Sequence, residues 1–244
     1  MTLPFYSVDT ATWSEMLNEF RANQLEEDPN HIMTVPYDCF KETFEAMPGW
    51  EGHFDEDSLL TRLLAIDFFR PYAEEHPDDL CLDRLLLLGI LLCKGNARTR
   101  AEVFWSVVQT PDQKDIAVME KDFFACFQDM FEIGIIILKD FARDQKVSKE
   151  INEQFTVKHL YYLFEKYIGT IFGYESKMNK EPWLEKISTE AQWCLKPETM
   201  RSYVWQLMQN MTDDDKQYVS EMEPALKENE IKRRGVMRLK LAEE

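Results

Sequence analysis

Glycine and proline, the residues that most often interrupt helices, are scarce: the 244-residue chain has 8 Gly and 10 Pro. Long alternating stretches typical of half-buried β-strands are missing too, whereas apolar residues recur at helical spacing. These absences argue against a β-rich fold and predict a nearly all-α protein. Helices are expected to end where proline and glycine fall, at 28–30, 47–52, 76–79, 110–112 and 181–182.

Cations are also few, with 28 Lys and Arg against 45 Asp and Glu and a formal net charge of −17. This balance excludes a free-standing nucleic-acid binder of the usual basic kind, because neutralising phosphates requires clustered cations. The chain is 45% hydrophobic and 13% aromatic, which is enough apolar surface to fold into one or two globular domains.

Long hydrophobic runs are absent. The longest, Leu85 to Cys93, is far below the roughly 20 residues that cross a bilayer, so we expect no membrane span. The first residues lack the basic segment and apolar core of a signal peptide. The five cysteines are an odd number without a CxxC pair. We therefore expect reduced thiols and a cytoplasmic location.

Motifs for catalysis are missing as well. None of the four histidines lies three or four residues from another histidine or a cysteine, so zinc spacing is absent. The patterns GxxxxGK[ST], GxGxxG and GxSxG do not occur. The acidic runs 55–57 and 213–215 are typical of a solvated turn or helix start. We expect a protein that is not an enzyme.

What is present resembles a known family. The segments Leu80–Gly95, Arg100–Val108 and Ile116–Glu120 are similar to paired EF-hands of the calcineurin-B, neuronal calcium sensor and calaxin type. The likeness lies in an aliphatic residue before each exit helix and in the linker Cys-Lys-Gly at 93–95. It implies paired helix-loop-helix units with a short β-bridge between loops, followed by a helical extension.

Placing Leu80 and Ile116 at the eighth loop position gives the loops 73–84 and 109–120, and implies that these two residues face each other in the bridge. A calcium loop needs oxygen ligands at positions 1, 3, 5, 7 and 9, glycine at 6 and a bidentate Glu at 12. The first loop ends in Arg84, a cation, and the second has Glu120 as its only carboxylate at an expected ligand position. We expect no cofactor and no calcium in either loop.

Two further segments contain fragments of an EF-hand pattern, and each has a plainer alternative. The segment 140–151 offers Asp140, Asp144 and Ser148 as ligands, or is a polar connection between helices. The segment 212–223 offers Asp214 and Glu223, or is an acidic surface turn. Before the predicted pair, the segment 35–44 resembles the exit helix of another EF-hand without a working loop.

The predicted domains are an EF-hand-like domain at 10–150, a helical extension at 151–230 and a basic tail at 231–244. The resemblance implies a non-catalytic structural or adaptor protein that binds a partner helix or a large assembly, such as tubulin or proteins of a ciliary or flagellar axoneme. The alternative is a calcium-responsive regulatory subunit with a site near 140–151 or 212–223.

Two sets of residues are candidates for partner binding. The first is an aromatic stripe that forms either the wall of a partner groove or ordinary core, and comprises Phe123, Phe124, Phe127 and Phe131. The second is a row of cations that contacts either an acidic partner such as tubulin or the chain's own acidic surface, and comprises Lys232, Arg233, Arg234, Arg238 and Lys240.

Overall fold

The computed structural model describes residues 3–27, 34–70, 78–109, 115–116, 121–138, 157–172 and 177–221. These residues are mostly helical, which confirms the all-α prediction. The chain divides into two compact units, Met1–Val103 and Phe104–Glu244, named here the N-terminal and the C-terminal unit. The sequence placed a boundary near residue 150, which lies outside the described residues, whereas this division falls inside a helix at 103–104.

The N-terminal unit contains two helix-strand-helix elements preceded by a short 3-10 helix, Pro4–Ser7. The first element is α1 (Thr10–Glu27), β1 (Thr34–Pro36) and α2 (Tyr37–Glu45). The second is α3 (Leu59–Leu64), a 3-10 turn at Asp67–Phe69, β2 (Asp79–Cys81) and α4 (Leu82–Leu92). The helix α5 (Ala97–Val108) follows and passes the division between the units.

The C-terminal unit repeats this order. Its first element contains the end of α5, then β3 (Asp115–Ile116) and α6 (Lys121–Phe131), which continues as a π-helical segment, Glu132–Ile137. Its second element is α7 (Val157–Ile171), β4 (Met178–Asn179) and α8 (Lys180–Thr189). A 3-10 turn at Gln192–Leu195, α9 (Pro197–Gln209) and α10 (Asp213–Glu221) come after it.

Each unit has its own two-stranded antiparallel bridge, and this corrects the expected pairing. Val35 pairs with Leu80, and Ile116 pairs with Met178. The prediction that Leu80 faces Ile116 is therefore wrong. Strands of two or three residues have too few hydrogen bonds to select a partner, so the packing of their flanking helices decides which strands meet.

Aromatic residues fill the interior of the N-terminal unit. Trp13 on α1 has no exposed surface, and its indole N–H donates to the Leu85 carbonyl of α4 at 2.9 Å. Gly89, one turn further along α4, makes this approach possible, because a Cβ there would lie 2.0 Å from the Trp13 ring. The indole therefore rests directly on the backbone of α4.

The interior of the C-terminal unit is built around Trp183 of α8, which is also fully buried. Its ring lies 5.2 Å from that of Phe123, 5.4 Å from that of Phe172 and 5.5 Å from that of Phe104, measured between centroids. These contacts join α5, α6 and α8 into one core.

Candidate functional site

Arg84 stands where the predicted EF-hand loop 73–84 would have its metal-binding glutamate. It lies in the first turn of α4 and is 3% exposed. Its guanidinium donates to the backbone carbonyl of Phe68 and lies 4.4 Å from the centre of the Phe68 ring. A buried guanidinium is stable only when its N–H groups meet acceptors, and the carbonyl and the ring face supply two such contacts.

These contacts join the segment before β2 to the helix after it. Phe68 belongs to the 3-10 turn that precedes the strand, and Arg84 belongs to the helix that follows it. The side chain therefore connects the two ends of one helix-strand-helix element. The EF-hand register predicted from the sequence puts Arg84 at position 12, where a calcium loop has a carboxylate that binds the metal ion.

Two other buried arginines bind backbone carbonyls in a similar way. Arg100 of α5 donates to the carbonyls of Ile90, Cys93 and Gly95, which lie at the end of α4 and in the linker after it. Carbonyls at a helix end lack partners within the helix, so the guanidinium acts as a C-terminal cap. Neither arginine was predicted from the sequence.

Arg201 of α9 has the corresponding role in the C-terminal unit. It is 1% exposed and donates to the Gly134 carbonyl at 2.9 Å. Gly134 lies inside the π-helical segment, where the regular hydrogen-bond ladder of an α-helix is altered and carbonyls need other donors. Arg201 therefore attaches α9 to the end of α6.

A polar pair supports each β-bridge. The Thr34 hydroxyl donates to the Asp79 carboxylate at 2.8 Å beside the Val35 and Leu80 pair. In the C-terminal unit, the ammonium group of Lys177 lies 3.9 Å from the Asp115 carboxylate. The lysine–aspartate pair is exposed and adds little stability, whereas Thr34 is buried.

The aromatic stripe predicted as a partner surface lies largely in the core. The side chains of Phe123, Phe127 and Phe131 are each 1% exposed. Phe127 packs on Phe131 at 4.9 Å and on Phe164 of α7 at 5.8 Å between ring centroids. These three residues are ordinary core and form no open wall, while the side chain of Phe124 lies outside the described residues.

The weak calcium candidate at 212–223 is corrected by the structure. Asp213–Glu221 is the helix α10, whereas an EF-hand loop is extended and turned over its first eight positions. Thr212 starts the helix with a capping box: the Asp215 N–H donates to the Thr212 hydroxyl at 3.1 Å and the Thr212 N–H donates to the Asp215 carboxylate at 3.0 Å. Asp214 is exposed on the first turn.

Several other predicted residues lie outside the described part of the chain: Asp140, Asp144, Ser148, Glu223, Lys232, Arg233, Arg234, Arg238 and Lys240. Across the residues that the structure does describe, no three side chains of His, Cys, Asp or Glu are grouped to hold a metal ion. Among the same residues, no helix combines the length and the apolarity that crossing a membrane requires.

The cysteines differ in burial, which affects the reactivity of their thiols. Cys93 lies at the end of α4, and its burial raises the pKa of the thiol to about 12. Cys194 is fully buried, whereas Cys39 of α2 is exposed. Because the thiolate is the reactive form, burial lowers the reactivity of Cys93 at neutral pH.

Comparison of the chain with protein-family models, with curated proteins and with solved structures finds no match.

Proposed function

We propose that this protein is a non-catalytic structural or adaptor protein whose helix pairs are EF-hand-like and are held in one state without calcium. The observation that carries the proposal is Arg84. A permanently charged side chain occupies the position of the bidentate glutamate and connects the two ends of its element. A site closed by its own cation has no need of a metal ion.

The register of the two bridges supports the EF-hand likeness. Leu80 and Ile116 are the residues that the family pattern puts at the eighth loop position, and each of them lies in a bridge. Giving the same position to their partners, Val35 and Met178, defines two more twelve-residue loops, 28–39 and 171–182. By sequence these end in Cys39 and Pro182, neither of which supplies a carboxylate.

An adaptor in one fixed state presents a surface that does not depend on a calcium signal. We propose that the partner is a protein of a large assembly, and the family resemblance favours an axoneme with tubulin or its associated proteins. Because Phe123, Phe127 and Phe131 are buried, residues other than these three form this surface.

Calcium titration of the Arg84→Glu variant tests the closed state. We expect neither the wild type nor the variant to bind calcium by calorimetry, because the 73–84 loop also has Ala73 at position 1 and Pro77 at position 5. Calcium binding by the wild type at micromolar concentration would contradict the proposal, whereas binding by the variant alone would contradict the expectation that the other ligand positions of the loop have also failed.

The matched variant Arg84→Met keeps most of the side-chain volume and removes the charge. It leaves the Phe68 carbonyl without this donor, so we expect the free energy of unfolding to fall by about 1–3 kcal/mol. Arg84→Lys is the control for charge alone, since an ammonium group lacks the planar geometry that stacks on a ring. A chemical denaturation curve for Arg84→Met that matches the wild type would remove the basis of the proposal.

Fractionation of cells that express a tagged copy tests the adaptor role. We expect the protein to stay with a salt-resistant assembly in chelator and in calcium alike, and the proteins that co-purify with it identify the partner. A free species that joins an assembly only after calcium is added would favour a calcium-responsive regulator, for which the undescribed segment 140–151 is the remaining candidate.

A further inference from the structure

The residues before α1 contact the N-terminal unit in the manner of a bound peptide. Leu3, Phe5 and Val8 are 8%, 0% and 4% exposed, whereas the intervening Tyr6 is 52% exposed and Ser7 is also exposed. The segment thus has three consecutive buried residues, 3–5, then two exposed ones, and then buried Val8. A 3-10 helix of four residues is too short to hold its own conformation, so the surface beneath it determines its shape.

The receiving surface is a pocket between two indoles. The rings of Trp13 and Trp50 are nearly parallel, at 17° and 6.0 Å between centroids. Phe5 approaches both edge-on, at 5.1 Å from Trp13 and 5.4 Å from Trp50. Edge-to-face contacts of this kind are directional, so they select an aromatic ring over an aliphatic side chain of similar size.

Contacts that do not involve the segment hold both walls of this pocket. The Trp13 indole is fixed by its hydrogen bond to Leu85, and Trp50 packs on Phe44 at 5.2 Å and on Phe54 at 6.0 Å. Both indoles therefore have contacts that do not depend on residues 3–8.

Polar contacts fix the orientation and the register of the segment. The Trp50 indole N–H donates to the Ser7 hydroxyl at 3.1 Å. The backbone N–H of Lys94 donates to the Val8 carbonyl at 2.9 Å, and the Thr10 N–H donates back to the Lys94 carbonyl at 2.6 Å. One aromatic anchor combined with main-chain pairing to a neighbouring segment is a recurring mode of peptide recognition.

We propose that the pocket between Trp13 and Trp50 is a peptide-binding site, and that residues 3–8 of the same chain occupy it as an intramolecular ligand. A partner segment that carries an aromatic residue followed by a small hydroxyl residue two positions later enters only by displacing them. The proposal goes beyond the adaptor function, because it concerns a contact within one chain and requires neither calcium nor an assembly.

Peptide binding in trans tests this proposal with full-length variants. Phe5→Ala removes the anchor, and Tyr6→Ala, at the exposed neighbouring position, is the matched control. The probe is a fluorescently labelled synthetic peptide of residues 1–12, measured by fluorescence polarisation. We expect Phe5→Ala to bind it at least tenfold more tightly than the wild type or Tyr6→Ala, which keep the pocket filled.

A second peptide, in which the residue corresponding to Phe5 is alanine, must lose this binding at least tenfold. Equal affinity of Phe5→Ala and the wild type for the natural peptide, or no binding by either, would overturn the proposal. If Phe5→Ala loses its helical circular dichroism, the natural peptide must restore it. Failure to restore it would show that Phe5 is an obligatory part of the core and would also overturn the proposal.

Discussion

The two units have the same arrangement of helices and strands, and different parts of the chain complete their cores. In each, two helix-strand-helix elements meet through a short antiparallel bridge. In the N-terminal unit, the remaining apolar surface is covered by the segment that precedes α1. In the C-terminal unit, the helices that follow β4 have this role, with Met200 and Val204 of α9 fully buried.

This difference shows that paired elements of this kind do not bury enough apolar surface alone. Each unit recruits an additional segment, and each secures a helix end with a buried arginine. Arg100 caps the carbonyls after α4, and Arg201 binds the π-helical carbonyl after α6. Arginine suits both positions because its charge persists when it is buried and its donors form a rigid fork.

The largest expected effect is a difference between the modification rates of buried and exposed cysteines. These rates measure how well each unit excludes solvent. At neutral pH, iodoacetamide should modify exposed Cys39 quickly and Cys93 at least about a thousandfold more slowly, because the pKa of Cys93 rises from 9.0 to about 12 and burial also blocks access. Buried Cys194 should be protected as well. Mass spectrometry of the peptides measures each rate.

Complete modification in guanidinium chloride is the control that every thiol can react. Rapid modification of Cys194 with Cys93 protected would break the comparison, since it would mean that the C-terminal unit opens while the N-terminal unit stays closed.

Gly89→Ala sharpens the account of the N-terminal unit. The added Cβ would meet the Trp13 indole at 2.0 Å, and a displaced indole would lose its hydrogen bond to Leu85. We expect the free energy of unfolding to fall by about 2–4 kcal/mol in chemical denaturation. Trp13→Ala alone should cost about 3–5 kcal/mol because it leaves a cavity.

The double variant, Trp13→Ala with Gly89→Ala, shows whether the destabilisation by Gly89→Ala comes from the contact with Trp13. With Trp13 absent, alanine at position 89 has no ring to meet and is a better helix former than glycine, so it should cost nothing further. Additive losses would mean that Gly89 is required for a reason other than the approach of Trp13.

The sequence was sufficient for the helical class, and the residues Leu80 and Ile116 do lie in bridges. Their partners were assigned wrongly for a physical reason. Val35 stands in a segment without calcium ligands, and Met178 precedes Pro182, which indicated a break and no bridge. Pairing between strands this short depends on helix packing over long sequence separations, and no local pattern encodes it.

The sequence predicted the candidate site only as a loop that lacks calcium ligands. Arg84 was recognised as a cation where a ligand should be, but its contact with Phe68 depends on the path of the chain between them. The periodicity of Phe123, Phe127 and Phe131 predicted a buried face equally well as a groove. Periodicity identifies which residues are buried, but it does not identify whether the chain itself or a partner covers them.

The smallest expected effect concerns the end of the C-terminal unit, where α10 packs on α7 through Val219, Met211 and Tyr162. Thr212→Ala removes the helix cap and should cost about 1 kcal/mol. Asp215, the other half of the capping box, gives this contribution a pH dependence. Hydrogen bonds from Thr212 and Tyr162 and the nearby ammonium group of Lys166 hold the pKa of Asp215 well below its ordinary value of 3.8.

Because folding lowers this pKa, the stabilisation from Asp215 is fully present above pH 3.8 and is lost as the pH falls through the lower folded value. The melting temperature of Asp215→Asn should therefore lie below that of the wild type at pH 7, and the gap should narrow as the pH falls below 4. Asp214→Asn, on the exposed side of the same turn, is the matched control. A gap that stays constant with pH would mean that the charge of the Asp215 carboxylate does not contribute to holding α10 in place.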